Sequence, residues 1–193
     1  ELKELLPFLH SLPDQPEAIP YVTSYYENRW GFCLSHNQKS SLKQGIYSIK
    51  ISTSKAPGKM LIGEIFLRGK SKKEIFFSTY TCHPSMANNE ISGITVSTFL
   101  AKQICSETKK NYSYRFVFLP ETIGSLTYIC KNLKRMKKNI VAGYNLTCIG
   151  DDRNYSFLPS RNGDTLSDKA ALHILDKHYP GYKRYSWLDR GSD

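Results

Sequence analysis

The chain has 193 residues, enough to bury a sizeable core in one domain, or in one domain with a small appendage. Hydrophobic residues make up 40% and aromatics 12%, which excludes a disordered chain, while the longest apolar runs fall far short of the roughly 20 residues of a membrane span. The net charge of +10 is scattered over residues 70–73, 109–110 and 131–138, at turns and on an exposed helical face, so it reads as a solvated surface and not as a nucleic-acid groove.

In chain order, Leu2, Leu5, Leu6, Leu9 and Leu12 fall on one helical face and predict a helix over 2–12, with Pro7 as a kink or first-turn residue. Pro13, Pro16 and Pro20 end it. The aromatic-rich stretch 21–32 predicts a short helix packed on a sheet. Residues 46–52 alternate as a half-buried strand, Pro57 and Gly58 turn, and 60–67 alternate again. Residues 1–70 therefore read as the tail of a small β-rich insert domain and its return to the main sheet. From 71 to 193 the pattern becomes strand 74–81, helix 92–105 capped by Ser92, strand 113–119, helix 122–135 and strand 139–148. A short strand at 155–158 and a helix over 166–178 follow, the helix capped by Asp164 and Thr165 and buried through Leu166, Ala170, Leu172, Ile174 and Leu175. This alternation predicts an α/β fold with a mixed, largely parallel sheet flanked by helices.

Five cysteines without a CxxC pair argue against a disulfide framework and for reduced thiols in the cytoplasm. Cys105, Cys130 and Cys148 lie in apolar surroundings and are expected in the core. Cys82, beside His83, is the one thiol weighed as reactive, against simple packing at a strand end.

The chemistry concentrates at Cys82-His83-Pro84-Ser85-Met86-Ala87-Asn88-Asn89-Glu90-Ile91-Ser92-Gly93, between a predicted strand and a predicted helix. It sets a His, an Asn and a Glu at the carboxyl end of a strand, where open α/β sheets place their sites. Some thirty residues on, Phe118-Leu119-Pro120-Glu121-Thr122-Ile123-Gly124-Ser125 repeats the strand, acidic residue, helix arrangement.

These two motifs, with YVTSYY and WGFCLSH upstream and NLTCIGDD, LPSRNGDTLSD and SWLDRGSD downstream, resemble the aminopeptidase-like domain of bacterial polysaccharide-biosynthesis proteins. Those proteins are distant relatives of the zinc aminopeptidases and glutaminyl cyclases. The resemblance implies an aminopeptidase-like domain over 71–193 and a zinc site in which His83 and Glu121 match the motif's ligands. It also implies that the family continues past residue 193 into a further strand and a metal-binding histidine, so the chain reads as a fragment. Three positions depart from the zinc peptidases. Asn89 stands where they carry a metal-bridging aspartate, Thr147 near another aspartate ligand, and Pro120 where a general-base glutamate precedes the ligand.

A zinc hydrolase needs imidazole and carboxylate ligands, an open position for water and a carboxylate to take its proton. With carboxylates lost, one zinc is expected instead of two. The expected ligands are His83, Asn89, Glu121 and Asp151, with Glu90 and Glu121 as the carboxylates for chemistry and Arg161 for a substrate carboxylate or phosphate. Alternatively His83 caps the strand and Glu90 begins the helix, where its charge suits the dipole. Arg161 has a structural reading too, paired with Asp164 or Asp168. His36 is either a ligand or a turn residue, and Tyr21, Tyr25, Tyr26, Trp30 and Phe32 either a sugar-stacking platform or helix-to-sheet packing. Asp189, Arg190 and Asp193 resemble the family's approach to its site. The expected function is a zinc-dependent amide or peptide hydrolase acting on a peptide-like or N-acylated sugar substrate, without nucleic-acid or membrane partners. The alternative is an inactive peptidase-fold module that binds glycan precursors or partner proteins.

Overall fold

A computed structural model of the chain describes residues 1–22, 27–54, 56–83 and 86–191. It divides into two compact units, Glu1–Pro57 and Gly58–Asp193.

In the first unit the expected helix over 2–12 is cut short. α1 (Leu2–Leu5) buries Leu2 and Leu5, then gives way to a 3-10 turn over Leu6–Phe8. Pro7 has no N–H to continue the α ladder, and the chain runs extended as β1 (Leu9–His10). β1 pairs in parallel with β2 (Phe32–Cys33), so the stretch expected as a helix over 21–32 ends in a strand, and its described residues form no helix. α2 (His36–Ser40) starts from a capping box in which Ser35 Oγ accepts from the Gln38 N–H and the Gln38 side chain accepts from the Ser35 N–H. Residues 46–52 form no strand; Ile46 is 91% exposed, and an alternating run without an edge to pair with has nothing to hold it extended.

The second unit holds a four-stranded sheet in the order β3-β5-β4-β6, built from β3 (Gly63–Leu67), β4 (Glu74–Tyr80), β5 (Ser113–Leu119) and β6 (Ile140–Asn145). β3 runs antiparallel to β5, and β5, β4 and β6 run parallel. Their carboxyl ends thus share one edge, with Tyr80 opposite Leu119 in register. α3 (Ser92–Ser106) connects β4 to β5, and α4 (Ile123–Asn139) connects β5 to β6. α3 turns its small residues Gly93, Ser97 and Ala101 inward. Gly93 is required there, because a Cβ would lie 2.2 Å from the Leu146 carbonyl oxygen. Ser92 is not the N-cap: a π turn over Ala87–Ile91 precedes it, and its Oγ donates to the Asn88 carbonyl and accepts from the Ile149 N–H.

Val117, Leu119 and Tyr128 form the buried core of this unit, and Phe77 stacks between Phe116 and Tyr144 at 4.7 and 5.7 Å. At the amino end of β4, Glu74 (2% exposed) accepts from Arg115 Nε at 2.6 Å and from Arg135 at 3.1 Å. Glu64 and Tyr128 join this network through Arg115 and Arg135, tying α4 to the sheet.

After β6 come β7 (Ser156–Phe157), α5 (Leu166–His178) and β8 (Lys183–Arg184), β8 pairing with β7. α5 has the expected span, but its buried residue is Asp168 while Leu166, Ala170 and Ile174 are exposed. The helix is turned this way because Asp168 accepts hydrogen bonds from Ser160 and from the capping Thr165. Cys105, Cys130 and Cys148 are exposed, not in the core, and all five cysteines are free. Among the described residues no helix is long and apolar enough to cross a membrane.

Candidate functional site

β4 delivers Cys82 and His83 to the carboxyl edge of the sheet, and β5 beside it delivers Glu121. The Glu121 N–H donates to Cys82 Sγ at 2.8 Å, which joins the two strand ends directly. The π turn then brings Glu90 back over the end of β4. It is 2% exposed, its Oε1 lies 2.6 Å from His83 Nδ1, and its Oε2 accepts from the Cys82 N–H at 2.6 Å. Burial pushes its carboxyl up, but hydrogen bonds from the backbone N–H groups of Cys82 and His83 and from the His83 ring outweigh this and hold it below the usual carboxylate range. Glu90 is therefore an ionised carboxylate with both oxygens engaged that fixes one ring nitrogen of His83, a different task from the proton-carrying carboxylate expected of it. The Cys82 thiol is pushed up by burial and by the charges of Glu90 and Glu121, which is the opposite of what a reactive thiolate requires.

Asn89 belongs to a neutral network. Tyr80, the last residue of β4, donates its hydroxyl to Asn89 Oδ1 at 3.0 Å and shares a 2.5 Å hydrogen bond with Thr147 Oγ1. Asn89 Nδ2 points to Cys148 Sγ at 3.5 Å. The two positions at which the resembled peptidases carry carboxylates are thus brought together, but around a tyrosine hydroxyl, and the amide oxygen expected as a ligand is already accepting. Asp151 stands apart from His83 and Glu121 in this bonding: Arg153 pairs with it at 3.2 Å and Asn88 Nδ2 donates to it at 3.1 Å. Arg161 is exposed and pairs with neither Asp164 nor Asp168, whose carboxylate is occupied by Ser160 and Thr165. His36 lies in the first unit, 3.2 Å from Ser11 Oγ. Asp189 accepts from the Ser186 N–H, and Arg190 lies over the Trp187 ring. Pro84, Ser85, Tyr25, Tyr26 and Asp193 lie outside the described residues.

Two backbone features were not legible as site residues. Thr122, directly after Glu121, has φ 54°, and Cys148, against Asn89, has φ 51°. Non-glycine residues at positive φ are strained, and for β-branched Thr122 the conformation is a clear outlier of the kind that clusters at functional sites. Beside Thr122 an apolar cavity of about 240 Å³ lies between β4 and α4, lined by Phe76, Tyr80, Leu119 and Tyr128 with Glu121 and Asn145. Among the described residues no three His, Cys, Asp or Glu side chains converge as a metal cluster.

The sheet order and the strand-end constellation define an α/β domain with its polar site at the carboxyl edge of a largely parallel sheet. The family model "Domain of unknown function (DUF4910)" matches residues 11–193, and the chain belongs to that family. It is 42% identical, over 192 residues and its whole length, to a Clostridium acetobutylicum protein described as a "Putative polysaccharide biosynthesis protein with aminopeptidase-like domain". It also superposes on the crystal structure of a "putative peptidase" from Clostridium acetobutylicum with a TM-score of 0.86 and 41% identity, over 96% of this chain. The chain spans 44% of the first protein and 43% of the second, less than half of each.

Proposed function

We propose that this domain serves a zinc-dependent amide hydrolase, with one metal ion held at the strand edge and a role in surface polysaccharide biosynthesis in the cytoplasm. The observation that carries the reading is the buried Glu90 held against Nδ1 of His83, on the edge where Glu121 is tied to Cys82. A carboxylate behind a histidine is the usual support of a metal-ligating imidazole.

The donor set fits zinc in part. His83 and Glu121 are an imidazole and a carboxylate of the kind zinc selects, and a further side-chain ligand has to come from outside the described residues. The neutral Tyr80, Asn89 and Thr147 network offers no charge for a second dication, which supports a single ion. Bound there, zinc supplies Lewis-acid polarisation of an amide carbonyl and acidifies a water molecule. The chain's own residues do the rest: Glu90 orients His83, Glu121 supplies carboxylate charge, and the cavity beside Glu121 takes an apolar part of the substrate. The substrate class we assign is a peptide-like or N-acylated sugar amide, in keeping with the name of the Clostridium relative. Full-length protein with added zinc should release amine from such amides and lose that activity in a chelator; activity indifferent to chelation would refute the reading.

A second reading rests on Pro120 and on the same neutral network. Pro120 offers no proton acceptor where the resembled enzymes have their base, and its carbonyl accepts from the Gly124 N–H as the chain turns into α4. A domain with this edge binds glycan precursors or partner proteins without turnover, and its binding would not change on chelation.

A further inference from the structure

The first unit contains a cavity of about 370 Å³, none of whose lining residues belongs to the strand-edge constellation. Trp30 lines it. Phe8 stacks on one face of the indole, with ring centroids 4.1 Å apart and planes 5° from parallel, and Phe32 meets it edge-on at 6.1 Å. Gly31 permits this arrangement: a Cβ there would lie 2.7 Å from His10 Nε2 and 2.8 Å from the Phe8 carbonyl oxygen, and would force β2 away from β1. Trp30 is thus held in place by its neighbours and still 41% exposed. The alternative weighed for these aromatics, packing between a helix and a sheet, does not describe residues 27–32, which form no helix.

His10, Thr53 and Ser54 line the same cavity, and their side chains have no hydrogen-bond partner among the described residues. A fixed aromatic ring beside a half-buried imidazole and two exposed hydroxyls suits a ligand with two faces, one apolar and one rich in hydroxyls. No acidic side chain lines the cavity among the described residues, which disfavours a cation on the indole, and Arg29, which does line it, is paired with Glu27 at 3.2 Å, which offsets its charge toward an anion. An apolar peptide segment would make no use of the imidazole and both hydroxyls. We propose that this cavity binds an uncharged pyranose ring, its C–H face against Trp30 and its hydroxyls toward His10, Thr53 and Ser54. The size agrees, since small-molecule sites run from roughly 300 to 1,000 Å³ and the small end suits one or two rings better than a long polymer.

The site does not rest on zinc, so its test separates from that of the hydrolase. Saturation-transfer NMR and calorimetry on the full protein, with glucose, galactose, N-acetylglucosamine and their disaccharides, should show saturable binding of at least one of them, unchanged by EDTA. Trp30→Ala should abolish it. Because Trp30→Ala also removes the Phe8 stack, Thr53→Val with Ser54→Ala serves as the second variant, expected to weaken binding roughly tenfold while the circular dichroism spectrum is retained. Absence of binding to every saccharide, or binding unaltered in the Thr53→Val, Ser54→Ala protein, would overturn the proposal. So would Trp30-dependent binding of a nucleoside or an apolar peptide in place of the sugars.

Discussion

His83 Nδ1 lies 2.6 Å from Glu90 Oε1, a contact made across seven residues by a carboxylate that is 2% exposed. Glu90 Oε2 is held at the same time by the Cys82 N–H, so the imidazole is fixed from behind by a group that is itself fixed. Glu90→Gln places an amide between these donors and should weaken zinc affinity by about 10- to 100-fold, as loss of a carboxylate behind a metal-bound histidine does. Competition with a fluorescent chelator reads this directly; an unchanged zinc affinity would mean that His83 is not held for a metal.

The neutral trio Tyr80, Asn89 and Thr147 should set the number of ions. Asn89→Asp with Thr147→Asp restores two carboxylates around the Tyr80 hydroxyl and should raise the zinc content of the full protein from about one to about two per chain. Elemental analysis decides it, and a content that stays at one would separate these positions from the metal site.

Acid should weaken the second unit through Asp168. Burial pushes its carboxyl up, but hydrogen bonds from Ser160 and Thr165 win and bring it down from 3.8 to about 2. A carboxyl lowered on folding stabilises the native state above its unfolded value, and that contribution fades as pH falls from about 4 through about 2. The loss should be on the order of 2 kcal/mol. Urea denaturation of wild type and Asp168→Asn between pH 5 and pH 2 should show the wild type losing more stability than the variant.

The network at the amino end of β4 should be costly to break. Glu74→Ala leaves Arg115, 8% exposed, without the carboxylate that accepts from both its Nε and Nη2, and should destabilise by about 3–5 kcal/mol in denaturant titration. A loss well below 1 kcal/mol would show that Glu64 alone satisfies Arg115.

The chain's second half was legible because period-2 and period-3.6 patterns alternate there cleanly. The strand Ser113–Leu119 and the helix Leu166–His178 have the spans their patterns predict, and the strand Glu74–Tyr80 ends one residue short of its own. The edge carrying Cys82, His83 and Glu121 followed from strand ends alone. Spacing could not show that Glu90 curls back through a π turn, since that depends on where two oxygens find N–H partners. Nor could it place Tyr80, whose position at the end of a buried strand beside the motif was the available signal. Residues 1–57 were read least well. The apolar spacing of residues 2–12 mimicked a helix that Pro7 interrupts, and the alternation of 46–52 carries no information about whether an edge is there to receive it. Burial of Cys105 and Cys130 was misjudged because an apolar neighbourhood along the chain does not set which way a helix faces.

The most direct measurement is the zinc content of the full-length protein purified without added metal, beside His83→Ala and Glu121→Ala. About one zinc per chain in the wild type, lost in both variants with the fold intact, is the result predicted. A wild type that takes up no zinc even when supplied with it, or variants that keep theirs, would contradict the assignment of this strand edge as a metal site.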